Sequence, residues 1–382
     1  MRRWSLCLLA VACGPRTWST GGSGPMPDPP PEVVLEVSDP DTSEVVAGGG
    51  VLLQAYVGGG ESWILAVDPG GSVRFSHTPP SGLRAIRAHL GRDESSILVL
   101  STDPTWEQRA GRIQRLDFAG RLLSETTASW AHHDFVELDD GLAWIAHRYE
   151  DVVIPPDTET TPLAADQVRF APEGSTNDGD VLFDFLTDYV PPWWVCPHMQ
   201  DGQWLPDRNE WTHSNSLVRH PSDGSLLLLP RYLDAVLKLD AETGAMRWQL
   251  GGRDGTLQRL DGLTLLHPHM SHAFADRLLV FDNGVEATGV RPSRVVEVQV
   301  DEATGEAREV WSYEEPSQAT LRFLGDARRL PGGNTLISWA GNHTLNEVTP
   351  DGRVVWQIAV PGFTIGRVSA LPADLEIFDV RP

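Results

Sequence analysis

The chain has 382 residues, of which 41% are hydrophobic and 22% are charged, a composition that predicts a folded protein with a sizeable core and excludes wholesale disorder. Its formal charge of −23 predicts a surface that repels nucleic acid and anionic lipid headgroups, so no nucleic-acid partner is expected. A site for an anionic substrate must be locally basic against this background, which gives weight to clustered histidine and arginine.

The first thirteen residues have the features of an export signal. Arg2 and Arg3 precede an apolar run from Trp4 to Ala12, which is too short to span a bilayer. The run ends in Ala10-Val11-Ala12-Cys13-Gly14, which resembles the bacterial lipobox, with Ala10 where leucine is usual. The resemblance implies cleavage before Cys13 and a lipid anchor on its sulfur, with the protein facing the periplasm or the cell surface. The alternative is a plain signal peptide that is cut nearby.

Residues 14–32 are rich in glycine and proline and are predicted to form a tether. The globular domain is therefore expected to cover residues 33–382. The chain has three cysteines, and loss of Cys7 with acylation of Cys13 would leave Cys196 alone, so no intrachain disulfide is expected.

A glycine followed by alternating residues that lead to an aromatic side chain recurs along the chain. Clear copies lie at Gly71–Phe75, Gly179–Phe183, Gly244–Trp248 and Gly352–Trp356, and looser copies at Gly120–Leu123 and Gly305–Trp311. Successive glycines are 47 to 65 residues apart. Each is interpreted as the turn between the outer two strands of a repeat, with its aromatic packed between neighbouring repeats.

A second series of turns lies between these glycines, at Asp140-Gly141, Asp223-Gly224 and residues 331–334. It predicts a hairpin of two inner strands, so each repeat has four strands. Six such repeats predict an all-β fold, a six-bladed β-propeller of four-stranded blades, in preference to seven blades. A pair of β-sandwiches would not give evenly spaced repeats. The segments 150–178 and 188–210, with Pro155-Pro156 and Trp193-Trp194, are predicted to be insertions that act as lids.

Histidines stand at the starts of three predicted inner strands. His132 and His133 precede residues 135–138, His213 precedes residues 217–218, and a cluster of His267, His269 and His272 precedes residues 278–281. Because inner strands line the channel of a propeller, these imidazoles are expected to converge on one mouth. Alternation along a regular strand would place His267 and His269 on one face and His272 on the other.

The hairpin through Asp223-Gly224 should bring Arg231 beside His213, with Asn215 next to them. An imidazole, a guanidinium and an amide suit an oxyanion with three oxygens. Ordinary alternatives remain: a histidine pair that caps a loop, a solvated arginine on a surface hairpin, or zinc bound by His267, His269 and His272.

These residues also resemble a known family, the bacterial arylsulfate sulfotransferases. The resemblance rests on Trp211-Thr212-His213-Ser214-Asn215-Ser216, Pro230-Arg231, Trp248–Gly252, Phe281-Asp282-Asn283-Gly284, Ser293-Arg294 and Gly333–Ile337, in the family's order over roughly residues 120–365. It implies a six-bladed propeller that transfers a sulfuryl group from a phenolic sulfate to another phenol through a sulfated histidine. Neither a nucleotide sulfate donor nor a metal or other cofactor is implied.

The resemblance also assigns roles. His269 matches the nucleophile, with His267 and His272 as lesser candidates, while His133 (or its neighbour His132), His213 and Arg231 match binding and acid–base positions. Asn215, His132 and His267 are assigned to substrate binding. Pro230 and Pro268 depart from the family, which commonly has serine and glutamine there.

Three functions follow as hypotheses. The first is a lipid-anchored aryl-sulfate sulfotransferase whose partners are aryl sulfates, phenols and the membrane, with a homodimer left open. The second is a non-catalytic propeller lipoprotein that serves as a binding module. The third is a zinc hydrolase that uses the cluster at residues 267–272.

Overall fold

The computed structural model describes residues 30–39, 49–57, 61–105, 109–153, 158–189, 209–286 and 289–375. The predicted signal peptide, Cys13, almost all of the tether and the Trp193-Trp194 segment lie outside the described residues. Among the described residues, no helix is long and apolar enough to cross a membrane.

Six sheets, each built on four antiparallel strands, form six blades, which confirms the propeller prediction; an additional strand pairs with three of these sheets. The first half of the chain supplies β1 (Val34–Ser38), then β2 (Gly50–Tyr56), β3 (Ser62–Val67) and β4 (Val73–His77) of blade 1, β5 (Arg84–Leu90), β6 (Ile97–Thr102), β7 (Gly111–Leu116) and β8 (Leu122–Thr127) of blade 2, and β9 (Ala131–Glu137), β10 (Leu142–Val153), β11 (Thr160–Ala171) and β12 (Asp180–Asp184) of blade 3.

The second half supplies blades 4 to 6. Its strands are β13 (Asn209–Glu210), then β14 (Ser214–Arg219), β15 (Leu226–Pro230), β16 (Ala235–Leu239) and β17 (Met246–Gly251) of blade 4, β18 (Gln258–Arg259), β19 (Pro268–Phe274) and β20 (Arg277–Asp282) of blade 5, the short hairpin β21 (Val285–Glu286) and β22 (Gly289–Val290), β23 (Arg294–Asp301) and β24 (Glu306–Glu314) of blade 5, β25 (Asp326–Arg329), β26 (Thr335–Trp339), β27 (Thr344–Val348) and β28 (Val354–Ala359) of blade 6, and finally β29 (Thr364–Leu371). Short 3₁₀ turns cover Arg231–Leu233 and Ala340–Asn342.

The ring closes through the last strand. β29 pairs with β2 and becomes the innermost strand of blade 1, so strands from opposite ends of the chain share one sheet. The inner strands β29, β5, β9, β14, β19 and β25 each contact the next around the channel. At the outer edge of blade 6, β1 pairs with β28. The closed ring leaves the starts of the six inner strands around one mouth.

The glycine turns occur where the sequence predicted them. All six glycines precede the fourth strand of a blade and have φ between +68° and +89°, a conformation that disfavours side chains with a Cβ atom. Phe75, Phe183, Trp248 and Trp356 are buried in hydrophobic clusters between neighbouring blades, as expected. One such cluster lies at each of the six blade interfaces.

The interpretation of residues 150–178 as an inserted loop was wrong. Strands β10 and β11 pair without interruption from Leu142↔Ala171 to Val153↔Thr160, so most of this segment is an extended hairpin of blade 3. Its buried residues, including Leu163 and Val168, pack into the cluster between blades 3 and 4. The neighbouring prolines had suggested a loop, because proline cannot donate a ladder hydrogen bond.

Candidate active site

Three histidines at the starts of inner strands share an unusual backbone conformation. His133 has φ +57°, His213 has φ +48° and His267 has φ +48°. A left-handed conformation costs about 1–2 kcal/mol for a residue with a Cβ atom. Its repetition at the same mouth in three consecutive blades indicates that the backbone is shaped to position these side chains.

Bulges in the inner strands bring two more predicted residues to this mouth. The pairing of β14 with β15 passes from Ser214 to Ser216 and skips Asn215. In blade 5, the pairing of β19 with β20 skips His269 between Pro268 and Met270. A bulge redirects a side chain and breaks alternation, so the expectation that His267 and His269 share one face of a regular strand does not apply.

His269 is held as a neutral imidazole with one free nitrogen. Its side chain is buried, and its Nδ1 lies 2.9 Å from the carbonyl oxygen of Gly325. A carbonyl oxygen only accepts, so Nδ1 carries the proton and Nε2 keeps its lone pair. Burial, reinforced by the positive charges of Arg367 and Arg231, lowers the pKa of His269 well below its usual value of 6.5. The site therefore presents an unprotonated nitrogen at neutral pH.

Arg231 and His213 meet at the rim as the hairpin predicted. The backbone N–H of Arg231 donates to the carbonyl of His213 at 3.1 Å. The guanidinium carbon of Arg231 lies 5.2 Å from the ring centroid of Tyr232, and Nη2 donates to the carbonyl oxygen of Arg322 at 2.7 Å. The Tyr232 ring also lies 5.2 Å from His213 and 5.6 Å from His267, so it spaces these two imidazoles.

His133 lies against His213, with ring centroids 4.7 Å apart. Burial, followed by the charges of His213 and His132, lowers the pKa of His133 well below 6.5. The neighbouring His132 is fully buried, and its ring nitrogens face His133 Nδ1 and Asp166 Oδ1. His132, which the sequence had suggested for substrate binding, therefore faces protein groups through both nitrogens.

Asn215 is fully buried, and neither polar atom of its side chain has a hydrogen-bond partner within the described part of the chain. Its backbone carbonyl accepts a hydrogen bond from Arg367 Nη2. An unpaired buried amide costs about 1–3 kcal/mol, so these atoms are suited to a ligand that enters the site.

Sequence reasoning missed Arg367 and Glu210. Arg367 is 3% exposed, and burial lowers its pKa to about 10, although the Asp134 carboxylate opposes this shift. It thus remains a cation at neutral pH. Glu210 Oε1 lies 2.8 Å from His213 Nδ1. Glu210 stands three residues before His213, a signal that could have been recognised; Arg367 comes from β29 and had no local signal.

The three histidines of the cluster at residues 267–272 are not gathered around one point in the described structure. Within the described ranges, the potential ligand atoms of His132, His147 and Asp166 lie within 4.8 Å of one another. No such group includes His267, His269 and His272. His272 lies in a different environment, where its Nδ1 accepts from the backbone N–H of Arg329 at 3.2 Å. Burial and the charge of Arg328 lower the pKa of His272 to about 3.

Comparison with solved structures finds many similar folds at low identity. A periplasmic gluconolactonase from Pseudomonas aeruginosa is 15% identical, with 85% of this chain and 99% of that chain covered and a TM-score of 0.46. A putative 6-phosphogluconolactonase from Bacteroides uniformis is 12% identical, with 81% of each chain covered and a TM-score of 0.45. A streptogramin B lyase is 12% identical, with 85% of this chain and 86% of that chain covered and a TM-score of 0.42.

No curated protein sequence matches the chain significantly. The family model described as arylsulfotransferase (ASST) matches residues 51–358, which is most of the chain and includes every predicted site residue within the propeller. This family implies aryl sulfates and phenols as substrates. The chain therefore belongs to the arylsulfotransferase family.

Proposed function

We propose that the protein transfers a sulfuryl group from a phenolic sulfate ester to a phenol through a sulfohistidine on His269, without a nucleotide sulfate donor. The observation that carries this proposal is the hydrogen bond from His269 Nδ1 to Gly325, which leaves Nε2 unprotonated beside two cationic side chains. A neutral imidazole nitrogen is a competent nucleophile near pH 7.

In the first half-reaction, His269 Nε2 attacks sulfur while the bond from sulfur to the aryl oxygen breaks. Sulfuryl transfer resembles phosphoryl transfer, with a loose transition state whose charge lies on the non-bridging oxygens and the leaving phenolate. Arg231 can bind two of those oxygens through its planar guanidinium. His213, supported by Glu210, can protonate the phenolate, an effect worth on the order of 10²–10⁴-fold in rate.

In the second half-reaction, the acceptor phenol loses its proton to an imidazole and attacks the sulfur of the sulfohistidine. The sulfur–nitrogen bond breaks and His269 returns to its neutral form. Donor and acceptor thus use the same mouth in turn, and a single covalent intermediate replaces a bound nucleotide donor.

The proposal is tested by release of phenol from a chromogenic aryl sulfate with no added cofactor. We expect turnover that a second phenol accelerates, with ping-pong kinetics, and no turnover by His269→Asn. Lack of turnover by the wild-type protein across several aryl sulfates would favour the non-catalytic binding module instead.

We further propose that the mature protein is anchored through Cys13, on the basis of the lipobox-like segment and the glycine- and proline-rich stretch after it. Expressed in a bacterium with its own leader, wild-type protein should partition into detergent, and Cys13→Ser should partition into the aqueous phase. Equal partitioning of the two proteins would contradict the anchor.

A further inference from the structure

A hydrogen-bonded chain of three side chains leads from the mouth into blade 3. His133 Nδ1 lies 2.7 Å from His132 Nδ1, and His132 Nε2 lies 3.0 Å from Asp166 Oδ1. His132 and Asp166 are almost completely buried, whereas His133 is partly exposed. The other carboxylate oxygen of Asp166 accepts hydrogen bonds from Thr212 Oγ1 at 2.7 Å and from the backbone N–H of Ser214 at 2.5 Å.

The carboxylate determines where the protons lie. The His132 imidazole and its hydrogen bonds keep the pKa of Asp166 well below its usual value despite burial, so Asp166 is ionised and can only accept. A proton on His132 Nε2 faces this carboxylate, and in the neutral form of His132 its Nδ1 lone pair accepts from His133 Nδ1–H. The remaining nitrogen of His133, Nε2, keeps a lone pair.

His147 completes the surroundings of this chain but does not turn it into a metal centre. Its ring stacks on that of His132, with centroids 3.8 Å apart and planes inclined by 13°. A metal ion lies in the plane of each imidazole that binds it, so two nearly parallel stacked rings cannot direct their lone pairs at one ion. The stack instead holds the His132 ring in place between Asp166 and His133.

We propose that His132 and Asp166 form a proton relay that lets His133 act as the general base toward the acceptor phenol without itself retaining the positive charge; this inference rests on the proposed function. As the phenol oxygen attacks sulfur, its O–H bond breaks and the released proton binds to His133 Nε2. The His133 Nδ1–H bond breaks, and the proton passes to His132 Nδ1. The positive charge then lies on His132, next to the Asp166 carboxylate. The relay resets when the proton returns from His132 Nδ1 to His133 Nδ1 and the proton on His133 Nε2 passes to His213, which gave its own proton to the leaving phenolate, or to water.

The charges around His133 explain why a relay is needed. The charged and titratable groups that act on it are His213 of blade 4, His132 of its own blade, Arg367 of blade 1 and His269 of blade 5, while Asp166 and His147 contact His132. Of these, only Asp166 carries a negative charge, and it contacts His132. A proton is therefore better accommodated on His132 than on His133.

The test separates the two half-reactions. In the first, 4-nitrophenyl sulfate sulfates His269, and its acidic leaving phenol needs little protonation. In the second, the sulfated enzyme transfers the group to phenols of graded acidity in a single turnover.

His132→Asn keeps an oxygen that can accept from His133 but cannot take up the proton. We expect its sulfation rate to stay near that of wild type. Its transfer rate to a phenol as weakly acidic as tyrosine, with a pKa of about 10, should fall by on the order of 10²-fold, with little change for a nitrophenol.

Asp166→Asn, which removes the charge and leaves His132 in place, should show the same dependence on acceptor acidity. Thr212→Val is the matched control, because it removes a hydrogen bond to the other oxygen of Asp166 without touching the proton path. Equal losses for all acceptors and for sulfation would mean a structural role and overturn the relay, as would unchanged transfer in both variants.

A measurement that does not depend on turnover keeps the inference separate from the proposed function. Nitrogen-15 chemical shifts at pH 7 should place protons on His133 Nδ1 and His132 Nε2, with the other two ring nitrogens unprotonated. A proton on His133 Nε2 would overturn the relay whatever the activity. Wild-type protein that shows these tautomers but never forms a sulfohistidine would overturn the proposed function and with it the relay's part in catalysis.

Discussion

At the scale of single residues, the proposed chemistry depends on His269 being neutral. Burial next to the cationic Arg367 and Arg231 secures this state, and the hydrogen bond from Nδ1 to Gly325, which by itself favours the protonated form, fixes the tautomer so that Nε2 carries the lone pair. A more exposed histidine would be partly protonated at pH 6, and a protonated imidazole has no lone pair on Nε2.

The rate of His269 sulfation should therefore resist acid. Because its pKa is lowered, the neutral form persists as the pH falls from 8 to 6, and the rate with 4-nitrophenyl sulfate should stay constant over this range. A histidine with the ordinary pKa of about 6.5 would have lost roughly three quarters of its neutral form at pH 6. Stopped-flow release of nitrophenol measures the rate, and a decline with a midpoint near 6.5 would contradict the assignment.

Arg231→Lys should reduce kcat/KM by on the order of 10²-fold, because lysine keeps the charge but loses the planar fork that can bind two sulfuryl oxygens. The fall should appear for good and poor leaving groups alike, since the arginine acts on the sulfuryl oxygens. Steady-state kinetics with two aryl sulfates measures it. Arg322→Lys is a useful control, because Arg322 contacts Arg231 through its backbone carbonyl. Near-normal kcat/KM in Arg231→Lys would make Arg231 a surface residue.

The sequence allowed the rim of the site to be predicted but not its buried support. His213 and Arg231 lie on one short hairpin, so local turn chemistry alone brings them together. Arg367 reaches the site from β29, which closes blade 1 from the far end of the chain. Asp166 lies on the third strand of blade 3 and meets His132 through pairing that no local pattern reveals. These contacts depend on tertiary closure.

At the scale of strands, the site is made by irregularities. Left-handed residues and bulges occur where β9, β14 and β19 begin, and they redirect side chains that a regular strand would place by alternation. The sequence located these strands through their apolar runs and turn glycines. It did not reveal the bulges, because a bulge is a mismatch in pairing with a partner strand and leaves no fixed residue pattern at this position.

The turn glycines offer a matched test of the blade repeat. Gly120 has φ +79° and no atom within 4 Å of an added Cβ, so Gly120→Ala should lower the free energy of unfolding by only about 1–2 kcal/mol. Gly244 has φ +73°, and an added Cβ would lie 1.7 Å from the carbonyl oxygen of Leu182 in blade 3. Gly244→Ala should lose about 1–3 kcal/mol more, because two blades must move apart. Denaturant unfolding of both variants measures the difference, and equal losses would contradict the packing of this turn.

At the scale of the whole molecule, buried charges link the inner strands of separate blades. Arg87 of blade 2 lies 3.1 Å from Asp134 of blade 3 and 3.4 Å from Asp326 of blade 6, and all three side chains are fully buried. Removal of one partner from such a group typically costs 3–5 kcal/mol, because a charge is left unpaired. These charges therefore hold the inner strands of three separate blades together.

Stability should fall as the pH is lowered below about 6.5. Burial lowers the pKa values of His147 and His269 below those of an unfolded chain, so the unfolded state binds more protons in this range. Asp134 and Asp166, whose pKa values are also lowered, extend the loss to lower pH.

His147→Phe keeps a ring to stack on His132 but removes one titrating group. It should flatten the slope of unfolding free energy between pH 6.5 and 5 by up to about 1.4 kcal/mol per pH unit. Parallel curves for the two proteins would contradict this account.

The most direct test of the account is to identify the residue that carries the sulfuryl group. Incubation with an aryl sulfate and no acceptor, followed by rapid quenching and peptide mass spectrometry, should find one sulfuryl group on His269. The adduct should be absent from His269→Asn and present in His267→Asn, which serves as the matched control on the same strand start. An adduct that persists in His269→Asn and disappears in His267→Asn, or the absence of any adduct on the wild-type protein, would contradict it.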